Sequence, residues 1–165
     1  MLSKAMQDAI NQQVRNEFSS AYAYLAMAAY CEERNLGGCA HWLRLQAREE
    51  VGHAMKLFDS IHSRGGQVAL GPIEQPPAKF KSALEVFQRA LEHERKLSGM
   101  IHKLYELAVK EDDYATQATL QWFVTEQVEE EKSAVQIVEQ LKLVGEEGPA
   151  LLMVDRQLAA RPSGE

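Results

Sequence analysis

The chain has 165 residues, 45% of them hydrophobic, and a formal net charge of −6. That is enough for one domain with a sizeable core, at an ordinary globular composition. No apolar run approaches the roughly 18 residues of a membrane span, and residues 1–20 carry Asp8 and Glu17, so they do not read as a secretory signal. The acidic balance and the lack of a Lys/Arg-rich run argue against nucleic acid or an anionic membrane as partner. Cys31 and Cys39 have no metal-ligand spacing and read as reduced thiols of a cytoplasmic protein.

In chain order, the first predicted helix runs from about Ser3, a candidate N-cap, to Glu33. Ile10, Val14, Phe18, Ala21, Leu25 and Ala28 form its apolar stripe. Asn35-Leu36-Gly37-Gly38 reads as the stop, and a second helix as running from about Cys39 to Arg64, ended by Gly65-Gly66. Residues 67–81 contain Gly71-Pro72 and Pro76-Pro77, which forbid a helix. Extended, such a segment reaches about 50 Å, more than the roughly 40 Å length of the second helix. It can therefore carry the chain from one end of a bundle to the other. A third helix is expected from about Ser82 to Lys110 and a fourth from about Tyr114 to Val144, with Gly145 as its stop. Pro149 opens a short fifth helix, about residues 149–159, where Leu151-Leu152-Met153-Val154 is apolar nearly all round.

Each long stripe carries a polar defect near its middle. Glu17 falls between Val14 and Ala21, and Glu50 and His53 fall between Ala47 and Leu57. Glu94 lies between Leu91 and Leu97, and Gln127 and Glu130 lie between Val124 and Ala134. In a bundle of nearly parallel and antiparallel axes the midpoints meet, so these side chains converge. Buried unpaired, each carboxylate costs several kcal/mol. No Lys or Arg shares the stripes near the defects, which leaves metal as the solution. Oxygen ligands with one imidazole suit divalent iron, manganese or zinc. Glu-x-x-His alone is a weak motif; four coincident defects are not.

Glu49, Glu126 and Glu129 adjoin these positions on flanking faces and with Glu130 could hold a third ion, or form a solvated acidic edge. Tyr24 lies seven residues after Glu17 on the same face, as a core tyrosine or as a donor of a hydrogen bond or an electron. Trp122 reads as packing, and His41, His62, His93 and His102 as non-ligands. Gly52, between Glu50 and His53, suggests a close helix approach.

Glu17, the Glu50-x-x-His53 pair, Glu94 and the Gln127-Val128-Glu129-Glu130 run resemble the ferroxidase centre of ferritins, and the resemblance covers nearly the whole chain. It implies an all-α fold: a ferritin-like four-helix bundle spanning about residues 3–144, one long crossover between helices two and three, and a short fifth C-terminal helix. Gln127-x-x-Glu130 in place of a second Glu-x-x-His is similar to the non-haem bacterial ferritins, and Val51 stands where bacterioferritins carry a haem-ligating Met. No haem is therefore expected. The resemblance implies a first iron site of Glu17, Glu50 and His53, and a second of Glu50, Glu94 and Glu130. It implies a third of Glu49, Glu126, Glu129 and Glu130, with Gln127 and Tyr24 beside the pair. The implied function is oxidation of Fe(II) by dioxygen or hydrogen peroxide and storage of ferric mineral in a hollow homo-oligomer, a 24-subunit cage. The fifth helix would line its four-fold axes. Gln117 and Leu120 stand where animal ferritins carry the acidic residues of their three-fold channels. A non-storage di-iron oxidase, an iron-detoxifying protein with little storage, and a bundle whose polar layer only sets register are the alternatives.

Overall fold

The structure, a computed structural model, describes residues 2–163. It is all-helical: α1 (Lys4–Glu33), α2 (Gly37–Ser63), α3 (Ala83–Lys110), α4 (Tyr114–Val144) and α5 (Pro149–Ala159). Ser3, Ser82 and Asp113 cap α1, α3 and α4, each accepting a backbone N–H three residues on. The ends of α1, α2 and α3 share one device. Leu36, Gly66 and Asp113 each donate a backbone N–H back to a carbonyl five residues earlier, at 2.9–3.0 Å. The residue before each, Asn35, Gly65 or Asp112, has positive φ. Asn35 therefore turns the chain without a glycine, and α2 begins at Gly37, so Gly37-Gly38 are its first turn rather than part of the stop.

Side-chain contacts orient the bundle. Gln7 and Asn11, early in α1, bond the backbone of Gln67 and Ala69 just after α2. Ser3 bonds Glu111 at the end of α3. Arg64, closing α2, pairs with Asp113 at the start of α4 at 2.8 Å. So α1 and α4 start at the end where α2 and α3 finish. Helices one and two are antiparallel, as are three and four, and the chain must cross the bundle's full length between α2 and α3. It does so alongside α1: Gly71 packs on Arg15 and Phe80 on Tyr30, with ring centroids 5.4 Å apart.

The core is in two parts. One apolar cluster gathers Met6, Ile10, Leu57, Ile101 and Leu120, and the other Met27, Leu43, Phe87, Val138 and Leu141. Between them lies a buried polar layer of Gln13, Glu17, Ser20, Gln46, Glu50, His53, Glu94, Ser98, Gln127 and Glu130. The inner face of α1 runs through Glu17, Ser20, Ala21, Tyr24 and Ala28; Leu25, expected on the stripe, is 48% exposed. Tyr24 takes the inward position because it is in phase with Glu17 and its hydroxyl has a buried partner.

Candidate metal centre

Glu17, Glu50 and His53 are buried, and one potential ligand atom from each lies within 4.8 Å of the others. His53 Nδ1 is 3.7 Å from Glu50 Oε2 and 4.0 Å from Glu17 Oε2, too far for hydrogen bonds. Glu17 Oε2 and both Glu50 oxygens have no hydrogen-bond partner. Gln13 satisfies only the other Glu17 oxygen, at 2.7 Å. Buried carboxylate oxygens left this way fit a bound cation, and their hardness with one imidazole fits iron.

The other two helices close the centre. Tyr24, fully buried, donates its hydroxyl to Glu94 Oε1. Gln127 Nε2 reaches the Glu94 backbone carbonyl, Glu94 Oε2 and Ser98 Oγ, each at 3.2 Å. Gln46 of α2 donates to Glu130 Oε2 of α4. The defects of all four long helices thus meet at one level.

Burial, and then the charge of Glu50, pushes the Glu17 carboxyl well above its usual range; burial, and then Glu94, does the same to Glu50. Burial raises Glu94 and, with Glu94 and Glu49 adding repulsion, pushes Glu130 up to about 8. Tyr24 is raised by burial and then by the charge of Glu94. Carboxyls crowded and desolvated in this way hold protons until a cation replaces them.

The flanking acids are placed differently. Glu126 is half-buried and its carboxylate groups with Glu130 and His53, again within 4.8 Å. Glu49 pairs with Arg161 at 2.7 Å, and Glu129, exposed, with Lys132 at 3.3 Å. Thus Glu126 joins Glu130 directly, while Glu49 and Glu129 already hold cationic side chains. Gly52 faces open space; the close approach is at Gly38, where a Cβ would lie 1.7 Å from the Asp155 carbonyl oxygen. His53 packs edge-on against Trp122, which also stands edge-on to Phe123 and carries the Lys56 ammonium 3.5 Å from its ring centroid. His93 stands edge-on to Tyr24, and burial, then Lys96, lowers it to about 4. Leu120 is fully buried, and Gln117 bonds the Ala108 carbonyl at 3.1 Å, so neither offers an acidic channel lining.

Sequence reasoning missed Gln13, Ser20, Gln46 and Ser98. The signal was present: each lies three or four residues from Glu17, Glu50 or Glu94, hence on the same helix face. Arg161 carried no such signal, because it lies beyond α5.

A family model described as a ferritin-like domain matches residues 7–144. The chain belongs to the ferritin family. This ferritin is 39% identical over 165 residues to a bacterial non-heme ferritin of Staphylococcus epidermidis, covering 100% of this chain and 99% of that one. It is 41% identical over 161 residues to a bacterial non-heme ferritin of Bacteroides fragilis, covering 98% and 100%. Among solved structures, an open-pore ferritin of the archaeon Archaeoglobus fulgidus superposes with a TM-score of 0.97 at 46% identity, covering 98% of this chain and 100% of that one. A closed form of the same protein, engineered by site-directed mutagenesis, gives 0.96.

Proposed function

We propose that this ferritin binds Fe(II) in the buried polar layer, oxidises it, and stores the ferric product inside a homo-oligomeric shell. The observation that carries the reading is the set of three carboxylate oxygens, on Glu17 and Glu50, that are buried without a partner, two of which, Glu17 Oε2 and Glu50 Oε2, lie within 4.0 Å of His53 Nδ1. Among the described residues no Lys or Arg pairs with either acid. The family and the names of its relatives support iron as the cation.

In this reading Glu17, Glu50 and His53 take one Fe(II), and Glu50, Glu94 and Glu130 a second, with Glu50 bridging. Binding expels the protons that burial keeps on these carboxyls. Each Fe(II) gives one electron to dioxygen or hydrogen peroxide. With dioxygen, two Fe(II) and two protons yield two Fe(III) and hydrogen peroxide. Anionic oxygen ligands stabilise Fe(III) over Fe(II), which favours the electron transfer. Tyr24 and Gln127 hold Glu94 in place from two sides. Glu49, Glu126, Glu129 and Glu130 are the candidate third position through which iron moves on. For Glu49 and Glu129 this requires exchange of Arg161 and Lys132 for metal.

A shell is supported by the apolar surface a lone subunit leaves in water. Leu143, Leu152 and Met153 are 87%, 49% and 71% exposed. An open pore, as in the Archaeoglobus fulgidus ferritin, would admit iron without an acidic three-fold channel, which Gln117 and Leu120 do not supply.

The test is aerobic Fe(II) addition, followed by absorbance and particle sizing. A large particle that accumulates ferric mineral supports storage. Oxidation without a hollow particle would favour a di-iron oxidase, and absence of Fe(II) uptake would leave only a register-setting polar layer.

A further inference from the structure

We propose that Arg161 is a positioning residue for the metal centre: its guanidinium fixes the orientation of the Gln46 amide, which in turn holds the Glu130 carboxylate. The proposal rests on the reading of Glu130 as a metal ligand.

Arg161 lies two residues past α5, yet it is anchored on α2. Its Nη1 donates to Gln46 Oε1 at 2.9 Å and to the Trp42 carbonyl at 3.3 Å, and its Nη2 to Glu49 Oε2 at 2.7 Å. The guanidinium carbon stands 4.7 Å from the Trp42 ring centroid, and the Arg161 carbonyl lies 2.9 Å from His41 Nε2. Gln46 is fully buried, so its amide has no water to turn to.

The orientation follows from donor inventory. A guanidinium has only donors, so the Gln46 oxygen must face Arg161 and its NH2 must face Glu130. Glu130 then receives a donor that suits the ionised carboxylate and fixes one of its oxygens. Without Arg161 the amide is free to turn and present its oxygen to Glu130, which repels a carboxylate. The same guanidinium neutralises Glu49, leaving Glu126 to face His53 and Glu130. A lysine cannot replace it, because one ammonium does not reproduce the planar fork that joins Gln46, Glu49 and the Trp42 face.

The segment that delivers Arg161 is held separately. Leu36, at the N-cap of α2, makes no capping bond through its side chain, and Asp155 of α5 accepts the Cys39 N–H at 2.8 Å in its place. Arg161 is thus presented by a docked element, and the dock connects the C-terminal segment to the centre through two hydrogen bonds.

The experiment titrates the full-length, iron-free protein with Co(II), a metal that reports its ligands through visible absorption, in wild type, Arg161→Met, Gln46→Met and the double variant. Wild type binds Co(II); Arg161→Met, still assembled, binds about tenfold more weakly with altered bands, the size usual when a group orienting a ligand is lost. The double variant binds no more weakly than Gln46→Met alone, because both changes act on one path. Arg161→Lys also weakens binding, and it stands in if Arg161→Met does not fold. Wild-type affinity and bands in Arg161→Met or Arg161→Lys, or losses that add in the double variant, would overturn the proposal. A wild-type protein that takes up no Co(II) would overturn the reading of the centre itself.

Discussion

Glu50 concentrates the cost of the centre at one side chain: both its oxygens are buried and neither has a partner. An unsatisfied buried polar group costs about 1–3 kcal/mol, and more when charged. A fold that needed only register would not keep several at one level. His53→Ala and Glu94→Ala are expected to slow the fast phase of Fe(II) oxidation by more than about tenfold, since even residues that merely hold a metal's ligands are worth that much. Rapid mixing measures it, and wild-type rates in both variants would remove the two residues from the centre. The protonation of the layer gives a second prediction. Glu130 goes from an ordinary 4.5 to about 8 on folding. A carboxyl raised in this direction contributes stability below the unfolded value and loses it as pH rises through the folded value. Metal-free protein is therefore expected to melt at a lower temperature at pH 8 than at pH 5, and Zn(II) to restore more stability at pH 8. Thermal melts with and without Zn(II) decide it; a metal-free melting point that rises across this window counts against the buried acids. His93 runs the other way, losing stability as pH falls from 6.5 towards about 4.

Helix ends and helix contacts explain what single residues cannot. Asn35 and Asp112 occupy the left-handed positions that end α1 and α3, where glycine is commoner, so the glycines after Asn35 were free for another use. Gly38 lets α5 lie against the first turn of α2, and Asp155 caps that turn from across the contact. A methyl at Gly38 would gain up to about 1 kcal/mol of helix propensity. It would also sit inside the van der Waals shell of backbone that cannot move aside, a penalty of about 1–3 kcal/mol. Gly38→Ala is thus expected to lower thermal stability and to loosen α5, seen as faster proteolysis after residue 145. A variant as resistant as the wild type would mean that α5 docks without this contact. The helical stripes themselves were legible from the 3.6-residue period, and the crossover from Gly71-Pro72 and Pro76-Pro77. Leu25 misled because hydrophobicity favours leucine over tyrosine, whereas phase and a buried acceptor placed Tyr24 inside.

At the level of the whole molecule, α5 presents two faces. Leu151 and Val154 pack into the core cluster, and Leu152 and Met153 point to solvent. Its inner face fixes the segment carrying Arg161 and its outer face is free for neighbouring subunits. Deleting residues 149–165 is expected to shrink or open the assembly while α1 to α4 stay helical. Sizing with circular dichroism checks this, and an intact particle that retains mineral would argue against assembly through α5. What the sequence by itself determined is the helix count, the crossover and the polar layer, because hydrophobic period and chain-breaking residues act locally and survive any tertiary arrangement. Glu17, Glu50, His53, Glu94, Gln127 and Glu130 were legible as one layer because matched midpoints need no further information in a bundle of long helices. Only the tertiary structure decided that Arg161 holds Glu49, that Gln46 faces Glu130, and that Glu126 joins His53. Those choices depend on where α5 docks and on which donor reaches which acceptor across helices, and neither is written in the period of any one helix.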